Sequence, residues 1–477
     1  MSTSAFGALL QLESSPPIAN PAAAVHRDKH GLANASFDLE LNEVRHGSSP
    51  TSKTTKANSG IATPLTLTGV ENHSPAPDVY KSAACLMNLG GGLNDSAPGA
   101  LIPYIEEDYN IGYAVVSLIF VTNALGFILA APFTHALEAK LGRSKAYALS
   151  MAVLAAGYVI IVCKPPFPAI VASFFLLGFG LALQLALNNV FCANLVNSTT
   201  ALGFLHGSYG IGGIIGPLIA TALASHGVQW SFFYCISLAL ALFNAALAAW
   251  TFRGYEKELP VQLLATFQQS TSQQDHDHGV ASKTQSLKQA VKNRTTLLGA
   301  LFIFAYQGAE VSISGWVVSF LISSRDGNPS QVGYVSAGFW AGITLGRFAL
   351  SHPAHMIGEK LSVVLLVIGS VAFQVMTWLI PNVIGDAVAV SIVGLLLGPV
   401  YPCATAVFSK LLPRSMQMSS LSFISALGSS GGAVSPFFTG LLAQNVGTFV
   451  LHPICIGLYG VMLTGWACHP RISKRSE

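Results

Sequence analysis

Charged residues are scarce in this chain. Of its 477 residues, 24 are lysine or arginine and 21 are aspartate or glutamate, so only 9% are charged. Soluble globular proteins carry roughly a quarter charged residues, and the composition therefore excludes an ordinary soluble domain. The formal net charge of +3 is too small to indicate a nucleic-acid-binding surface, and we expect no nucleic-acid partner.

Sequence signatures of several chemistries are also missing. The seven cysteines form no CxxC pair, which argues against a zinc site or a disulfide framework. No G-x-x-x-x-G-K-[ST] motif is present, which argues against an ATP-driven pump. Because the chain shows no metal-ligand cluster and no nucleophile–base set, we expect neither an enzyme nor a bound metal or cofactor.

Long apolar runs make up most of the chain. Hydrophobic residues account for 52% of it, and the mean hydropathy is +0.55. A run of about 20 apolar residues is long enough to cross roughly 30 Å of hydrocarbon as a helix. The runs predict about twelve transmembrane helices, near residues 80–103, 113–134, 146–164, 168–193, 201–224, 230–251, 295–322, 331–350, 361–381, 386–408, 418–444 and 448–468.

The spans divide into two similar halves. Gly212-Gly-Ile-Ile-Gly-Pro217 matches Gly431-Gly-Ala-Val-Ser-Pro436, and Gly142 matches Gly358 at nearly the same separation along the chain. We therefore expect an all-α integral membrane fold of two pseudo-symmetric six-helix halves around a central site, acting as a monomer. The predicted parts are a disordered cytosolic tail (1–79), the first half (80–252), a cytosolic linker (253–294), the second half (295–470) and a cytosolic tail (471–477).

Basic residues predict the orientation in the membrane, because they are enriched in short cytosolic loops. With the N-terminus inside, the cytosolic loops hold Lys140, Arg143, Lys145, Arg347, Lys360, Lys410 and Arg414. The outward loops hold only Lys164 and Arg325. We therefore expect both termini in the cytosol, and a plasma membrane rather than an internal one.

Two carboxylates lie inside apolar segments. Asp95 lies in the glycine-rich interruption Met87–Gly99 of the first span, and Glu310 lies in the seventh. A charge at the centre of a spanning helix costs roughly 2.5–3.5 kcal/mol on insertion scales, so such side chains face a bundle interior or a wet cavity. Each acid is a candidate to load and release a proton; the alternative is a permanent hydrogen-bonded role between helices.

Other polar residues recur at helical spacing on the same and other spans, and we expect them to face a shared, wet cavity. Asn88, Gly92 and Asp95 share one helical face, and so do Gln307 and Glu310. Aromatic residues that could stack on a ligand are Tyr209, Trp316, Phe339, Trp340 and Tyr401. The candidate substrate and coupling residues are Asn94, Asp95, Gln184, Asn188, His206, Tyr209, Gln307, Glu310 and Trp316.

The loop between spans two and three, His135-Ala-Leu-Glu-Ala-Lys-Leu-Gly-Arg-Ser-Lys145, resembles the cytosolic gating motif of the major facilitator superfamily. The opening glycine and the aspartate of that motif are absent here, and Glu138 would supply the acid instead, while Gly142, Arg143 and Lys145 fit the motif. The resemblance implies a gating role for Glu138, Gly142, Arg143 and Lys145. The alternative is an anchor that follows the positive-inside rule without gating.

Two further segments resemble the fucose-permease-like branch and its fungal bypass-of-stop-codon-type members. They are Gly92-Leu-Asn-Asp-Ser-Ala-Pro-Gly-Ala-Leu-Ile-Pro103 and Tyr306-Gln-Gly-Ala-Glu-Val-Ser-Ile-Ser-Gly-Trp316. The resemblance implies proton coupling and sugar binding at Asp95. The second acid of the sugar permeases falls on Gln184, so a two-carboxylate mechanism does not carry over directly.

These observations predict secondary active transport of a small organic solute by alternating access, driven by protons. Uptake of a sugar-like solute and export of a fungal secondary metabolite stay open as alternatives. A non-transporting membrane receptor or sensor on the same fold is the alternative from another class. The expected partners are the substrate, the proton as coupling ion and the lipid bilayer.

The orientation gives a first prediction. An epitope tag on the N-terminus should be inaccessible to antibody in intact cells and accessible after permeabilisation, because the basic loops stay on the cytosolic side. Immunofluorescence on the two cell preparations measures this. Labelling of intact cells would reverse the predicted topology.

Overall fold

The computed structural model describes residues 78–193, 195, 198–253 and 292–469, and all of them belong to one compact unit. The predicted N-terminal tail, the linker and the C-terminal tail lie almost wholly outside the described residues. The regular elements of the described part are all helical, as the sequence predicted.

The first half contains seven α-helices and one 3₁₀ turn among its described residues. The helices are α1 (Asp78–Tyr109), α2 (Tyr113–Val116), α3 (Leu118–Leu141), α4 (Arg143–Val162), α5 (Phe167–Ala193), α6 (Ser198–Ser225) and α7 (Phe233–Thr251). The 3₁₀ turn Trp230–Phe232 leads into α7.

The second half contains eight helices and one 3₁₀ turn in the described range. The helices are α8 (Arg294–Arg325), α9 (Pro329–Ala349), α10 (Ser351–Ile357), α11 (Glu359–Leu379), α12 (Val383–Leu397), α13 (Val400–Leu411), α14 (Arg414–Val446) and α15 (Leu451–Ala467). The turn Thr448–Val450 precedes α15. Pro399 lies between α12 and α13, where its missing N–H interrupts the helix.

Nine helical segments of the described part are long and apolar enough to cross a membrane. The α12–α13 segment counts as one of them. Three further long helices, α1, α9 and α14, carry more glycine, serine and charged or amide residues. Together they give the twelve crossings that the sequence predicted, and the protein is an integral, multi-pass membrane protein.

Glycines let the central helices of each half approach closely. Gly92 of α1 lies against the backbone of α6, and Gly212 of α6 lies against the backbone of Leu89. In the second half, Gly431 of α14 lies against the backbone of Phe304 in α8. Any larger side chain at these points would collide with main chain, so the repeated glycine motif produces the same helix pairing in both halves.

The two halves meet along α6 and α9. A side chain at Gly207 would meet Phe348, and one at Gly210 would meet Thr344. Further along, Gly213 faces the Trp340 ring. The glycine face of α6 therefore packs against larger side chains of α9 over about two helical turns.

A second contact between the halves lies at the end that the predicted orientation places outside. The Ala114 N–H donates to Gln444 Oε1 over 3.5 Å, and the Tyr113 and Trp316 ring centroids are 5.7 Å apart. Ala124 of α3 packs against Ala433 of α14. These contacts close the outward end of the space between the halves.

A buried ion pair joins three helices of the second half. Arg325 Nε donates to Asp386 Oδ2 over 3.0 Å, and Arg325 Nη2 donates to the carbonyl oxygens of Thr377 and Trp378 over 2.8 and 2.9 Å. The Asp386 side chain is only 2% exposed. Removing one partner of a buried pair leaves an uncompensated charge, which costs several kcal/mol.

We predict that Asp386→Asn lowers the free energy of unfolding by about 3 kcal/mol, because Arg325 keeps only its carbonyl partners. Thermal unfolding of the purified protein in detergent measures the change. The control is Asp78→Asn, which breaks the exposed Lys81–Asp78 pair and should leave the melting temperature unchanged. Equal melting temperatures for the two variants would contradict a stabilising role for the buried pair.

Candidate functional site

Asp95 and Glu310 lie at equivalent depths in the two halves. Each stands near the middle of a 32-residue helix, Asp95 in α1 and Glu310 in α8. The two helices approach each other where Gly99 lies against the backbone of Ser314. The fold thus brings both acids to the middle of the bundle, between the two halves.

Asp95 is hydrogen-bonded by neutral groups. Tyr209 Oη of α6 donates to Asp95 Oδ2 over 2.8 Å, and Asn94 Nδ2 donates to Asp95 Oδ1 over 3.1 Å. Tyr158 Oη of α4 donates in turn to Asn94 Oδ1 over 3.0 Å. Asp95 therefore lies within a chain of hydrogen bonds, between Tyr209 on one side and Asn94 and Tyr158 on the other, and this chain links α4, α1 and α6.

Glu310 faces a cation. Arg347 Nη2 of α9 lies 3.7 Å from Glu310 Oε1, and the Glu310 side chain is 1% exposed. The assignment of Arg347 to a cytosolic loop was wrong, because this residue lies inside α9 and its side chain turns toward the bundle interior. Enclosure of both charges by protein offsets part of the cost of placing them at membrane depth.

Asp95 with its hydrogen-bond partners and the Glu310–Arg347 pair belong to one site. Asp95, Glu310 and Arg347 all lie close enough to Tyr209 to interact with it electrostatically. Tyr306 interacts in the same way with Glu310 and Arg347.

Aromatic rings flank these charges. Tyr209 and Trp340 have ring centroids 6.3 Å apart, and the Tyr306 and Tyr401 centroids are 5.7 Å apart. The site therefore combines three charged side chains with aromatic walls from both halves.

A small cavity begins at Asp95 and extends toward the outward end, with room for about one water molecule. Helices α1, α3, α5 and α8 line it. The residues around it are Asn94, Asp95, Pro98, Gly99, Ile119, Phe120, Asn123, Phe174, Val311, Ser314 and Gly315.

Gln184 and Asn188 hold α5 against α1. Gln184 Nε2 donates to Asn88 Oδ1 over 3.4 Å, and Asn188 Nδ2 donates to the Ala84 carbonyl oxygen over 3.3 Å. Asn88 Nδ2 donates to the Leu205 carbonyl oxygen over 2.9 Å. All three amide side chains are fully buried, and they join neighbouring helices of the first half.

The remaining candidates fall in different places. His206 lies within electrostatic reach of Arg347, and Gln307 is buried on α8 one turn from Glu310. Trp316 Nε1 donates to the Pro436 carbonyl oxygen over 2.8 Å. Its ring belongs to the outward contact with Tyr113, so the structure does not bring Trp316 to the acids.

The candidate gating residues lie where α3 ends and α4 begins. Arg143 Nε donates to Glu138 Oε1 over 2.8 Å, and the Arg143 guanidinium lies 5.8 Å from the Phe191 ring centroid. Gly142 joins the helices with φ of 76°, a conformation that favours glycine, and Lys145 is exposed. Three of the four candidates therefore form one folded unit.

Sequence reasoning missed Arg347, Tyr158 and Tyr306 as members of the site. One signal was available for Arg347, because its position fell inside the predicted span 331–350. The sequence carried no comparable signal for Tyr158 and Tyr306, because a tyrosine in an apolar run most often packs in the core or anchors its helix at the membrane interface. Among the described residues, no group of three or more His, Cys, Asp or Glu side chains could hold a metal ion.

Comparison with known proteins adds the family. The family model of the Major Facilitator Superfamily matches residues 84–436. The chain is 27% identical over 415 residues to Bypass of stop codon protein 6 of Saccharomyces cerevisiae, covering 83% of each chain. It is 29% identical over 180 residues to a Glucose/galactose transporter of Brucella abortus, covering 35% of this chain and 42% of that one.

Solved structures of low sequence identity share the fold. The crystal structure of a D-xylose-proton symporter superimposes with a TM-score of 0.66 at 12% identity, covering 83% of this chain and 99% of that one. A mutant of the nucleoside transporter NupG gives a TM-score of 0.64 at 14% identity, covering 82% and 98%. With a family match over most of its described length, this chain belongs to the major facilitator superfamily of membrane transporters.

Proposed function

We propose that this protein is a proton-coupled secondary active transporter of a neutral, sugar-like solute that works by alternating access. The observation that carries the proposal is the meeting of Asp95 with the Glu310–Arg347 pair between the two halves, at the middle of the membrane. Buried charges at this depth are typical of substrate and ion pathways. The names of the sugar–proton symporter and the glucose/galactose transporter support the same substrate class.

Asp95 is the better candidate for the coupling acid. Tyr209 and Asn94, which donate the hydrogen bonds to Asp95 described above, are both neutral. A phenol and an amide can stay beside a carboxyl group in either protonation state by exchanging donor and acceptor roles. Glu310 faces a permanent cation instead, so proton uptake there would leave Arg347 without its counter-charge.

The cytosolic cluster at α3 and α4 supports the gating part of the proposal. The outward contacts between α2, α3 and α14 close one end of the central space, so the other end is where the solute would enter or leave in this state. The Glu138–Arg143 pair lies at that end in the predicted orientation, with both termini cytosolic. Monomeric function in the plasma membrane completes the proposal.

Export of an aromatic or apolar metabolite is a second candidate. The aromatic rings of Tyr209, Trp340, Tyr306 and Tyr401 favour it, because such rings also suit a planar ligand.

Flux assays on vesicles distinguish uptake, export and the non-transporting sensor. A purified protein that binds solute but gives no flux would support the sensor.

We predict that Asp95→Asn abolishes solute accumulation driven by an acid-outside gradient, because an amide cannot carry the proton. Solute exchange without a gradient should continue at more than a tenth of the wild-type rate. Uptake into reconstituted vesicles at several external pH values measures both. Asp78→Asn, at the exposed start of α1, is the control, and full pH-driven accumulation by the Asp95 variant would remove Asp95 as the coupling acid.

We predict that Arg143→Ala reduces transport at least fivefold at normal surface abundance, because it breaks the link between Glu138 and the start of α4. Uptake normalised to surface-labelled protein measures the effect. Lys140→Ala is the matched control, since Lys140 is exposed in the last turn of α3. Unchanged uptake by the Arg143 variant would leave this cluster as an anchor only.

A further inference from the structure

A third carboxyl group lies at the outward contact between the halves. Glu106 is in α1, three residues beyond the predicted end of the first span at residue 103. Gly99, which lies against the backbone of Ser314 in α8, is seven residues before it. Seven residues make about two helical turns, so Glu106 is on the same face of α1 and about 10 Å nearer the outward end. The Glu106 side chain therefore faces the second half.

The Glu106 carboxyl group has no partner that would favour its charged form. Its Oε1 atom is buried and has no hydrogen-bond partner among the described residues. None of the ion pairs found in the described part of the chain includes Glu106. Burial penalises the charged form of a carboxyl group, and it raises the pKa of Glu106 from 4.5 to about 8.

The other two acids at this end of α1 are in different surroundings. Asp108 Oδ1 accepts from Lys164 Nζ over 2.6 Å, and Asp108 Oδ2 accepts from Trp230 Nε1 over 2.8 Å. Glu107 is exposed. Because Lys164 and Trp230 both belong to the first half, these bonds hold the outward end of α1 to that half. Glu106 therefore moves with the first half when the halves separate.

The elements packed around Glu106 supply no counter-charge. Tyr113 of α2 interacts with both Glu106 and Ser323 of α8, so it connects the carboxyl group to the second half. Arg325, the cation at the outward end of α8, is bonded to Asp386 instead. The remaining titratable groups at this end are the phenols of Tyr104, Tyr109, Tyr113 and Tyr334, which carry no positive charge.

We propose that Glu106 is a second proton-binding residue, separate from Asp95, which takes up a proton from the outward side when the halves close there and releases it to external water when they separate. In the closed contact an ionised Glu106 would be buried without a counter-charge, whereas water solvates it in the open state. The proton is exchanged with the outward side only. This inference rests on the proposed alternating access, but it does not rest on the proposed coupling role of Asp95.

The direction of the pH effect follows from the two states. The pKa of Glu106 is about 8 in the closed contact and returns to its ordinary 4.5 in water. Between these two values the closed state binds more protons than the open one, so acidification favours closure by at most about tenfold per pH unit. Below the lower value and above the higher one, Glu106 has the same charge in both states and does not make closure depend on pH.

A cysteine placed within the outward contact can measure its opening. Ala124 of α3 packs against Ala433 of α14 in the closed contact, so Ala124→Cys should react with a membrane-impermeant maleimide only when this end opens. The reagent is added to intact cells, and the exposed native cysteines, which are Cys163, Cys235 and Cys468, are replaced by serine. A reference protein that keeps Cys163 and lacks Ala124→Cys corrects for the pH dependence of the reagent itself.

We expect the corrected labelling rate to rise about fivefold or more when the external pH is raised from about 5.5 to about 7.5. Glu106→Gln should make labelling slow at both pH values, because an amide has the shape of the protonated acid and does not titrate. Glu106→Met, an apolar residue of similar length, should also remove the pH dependence. Glu107→Gln is the matched control, since it removes the exposed acid next in the chain and should keep the wild-type pH dependence.

Asp95→Asn separates the two proton-binding residues, and this variant should also keep the pH dependence of labelling. The melting temperatures of the Glu106 variants at about pH 5.5 provide the test of folding. They should equal that of the wild type, because the neutral Glu106 side chain has no ion pair to lose there.

Three outcomes would overturn the second proton-binding residue. They are an unchanged pH dependence in folded Glu106→Gln or Glu106→Met, an equal loss of it in Glu107→Gln, and its loss in Asp95→Asn but not in the Glu106 variants. The last of these would assign the effect to the central acid and support the proposed coupling. Labelling that depends on Glu106, together with full pH-driven accumulation by Asp95→Asn, would remove the coupling role of Asp95 and leave the proton-binding role of Glu106 standing.

Discussion

A charge placed at membrane depth must be enclosed by protein or water, and the structure depends on that constraint. Insertion of an isolated carboxylate or guanidinium at the helix centre costs several kcal/mol. Here one acid is enclosed by Tyr209 and Asn94, and the other faces Arg347. The groups around each acid come from helices that are far apart in the chain. The contacts of the charges and the packing of the helices therefore stabilise the same fold.

The membrane fold was predictable because hydrocarbon thickness imposes a length on every span, and length is visible in sequence. The pairing of α1 with α6 and of α8 with α14 was foreshadowed by the repeated glycines. Asp95 and Glu310 stood out as charges in apolar runs. These three predictions rest on constraints that act on single residues or on single segments.

The partners of those residues could not be predicted in the same way. Helical periodicity places Gln184 and Asn188 on a polar face, but it does not say whether that face meets a cavity or the backbone of α1. Arg347 shows the limit of counting basic residues near helix ends, since a position inside the last turn can turn its side chain inward. Trp316 is only two turns from Glu310, yet it contacts α14 and α2, because tertiary packing decides what each face of a long helix meets.

The glycine face of α6 has a mechanical consequence. Gly207, Gly210 and Gly213 present little more than main chain to α9 over about two turns of α6, so few interlocking side chains oppose a small rotation there. If one half rotates as a rigid body about this line, the helices of the two halves separate at one end of the bundle and approach each other at the other end. Helices α6 and α9 stay in contact throughout. The line of closest packing between the halves would then be the axis of their motion. A bulky residue introduced along this line would restrict movement at both ends of the bundle at once.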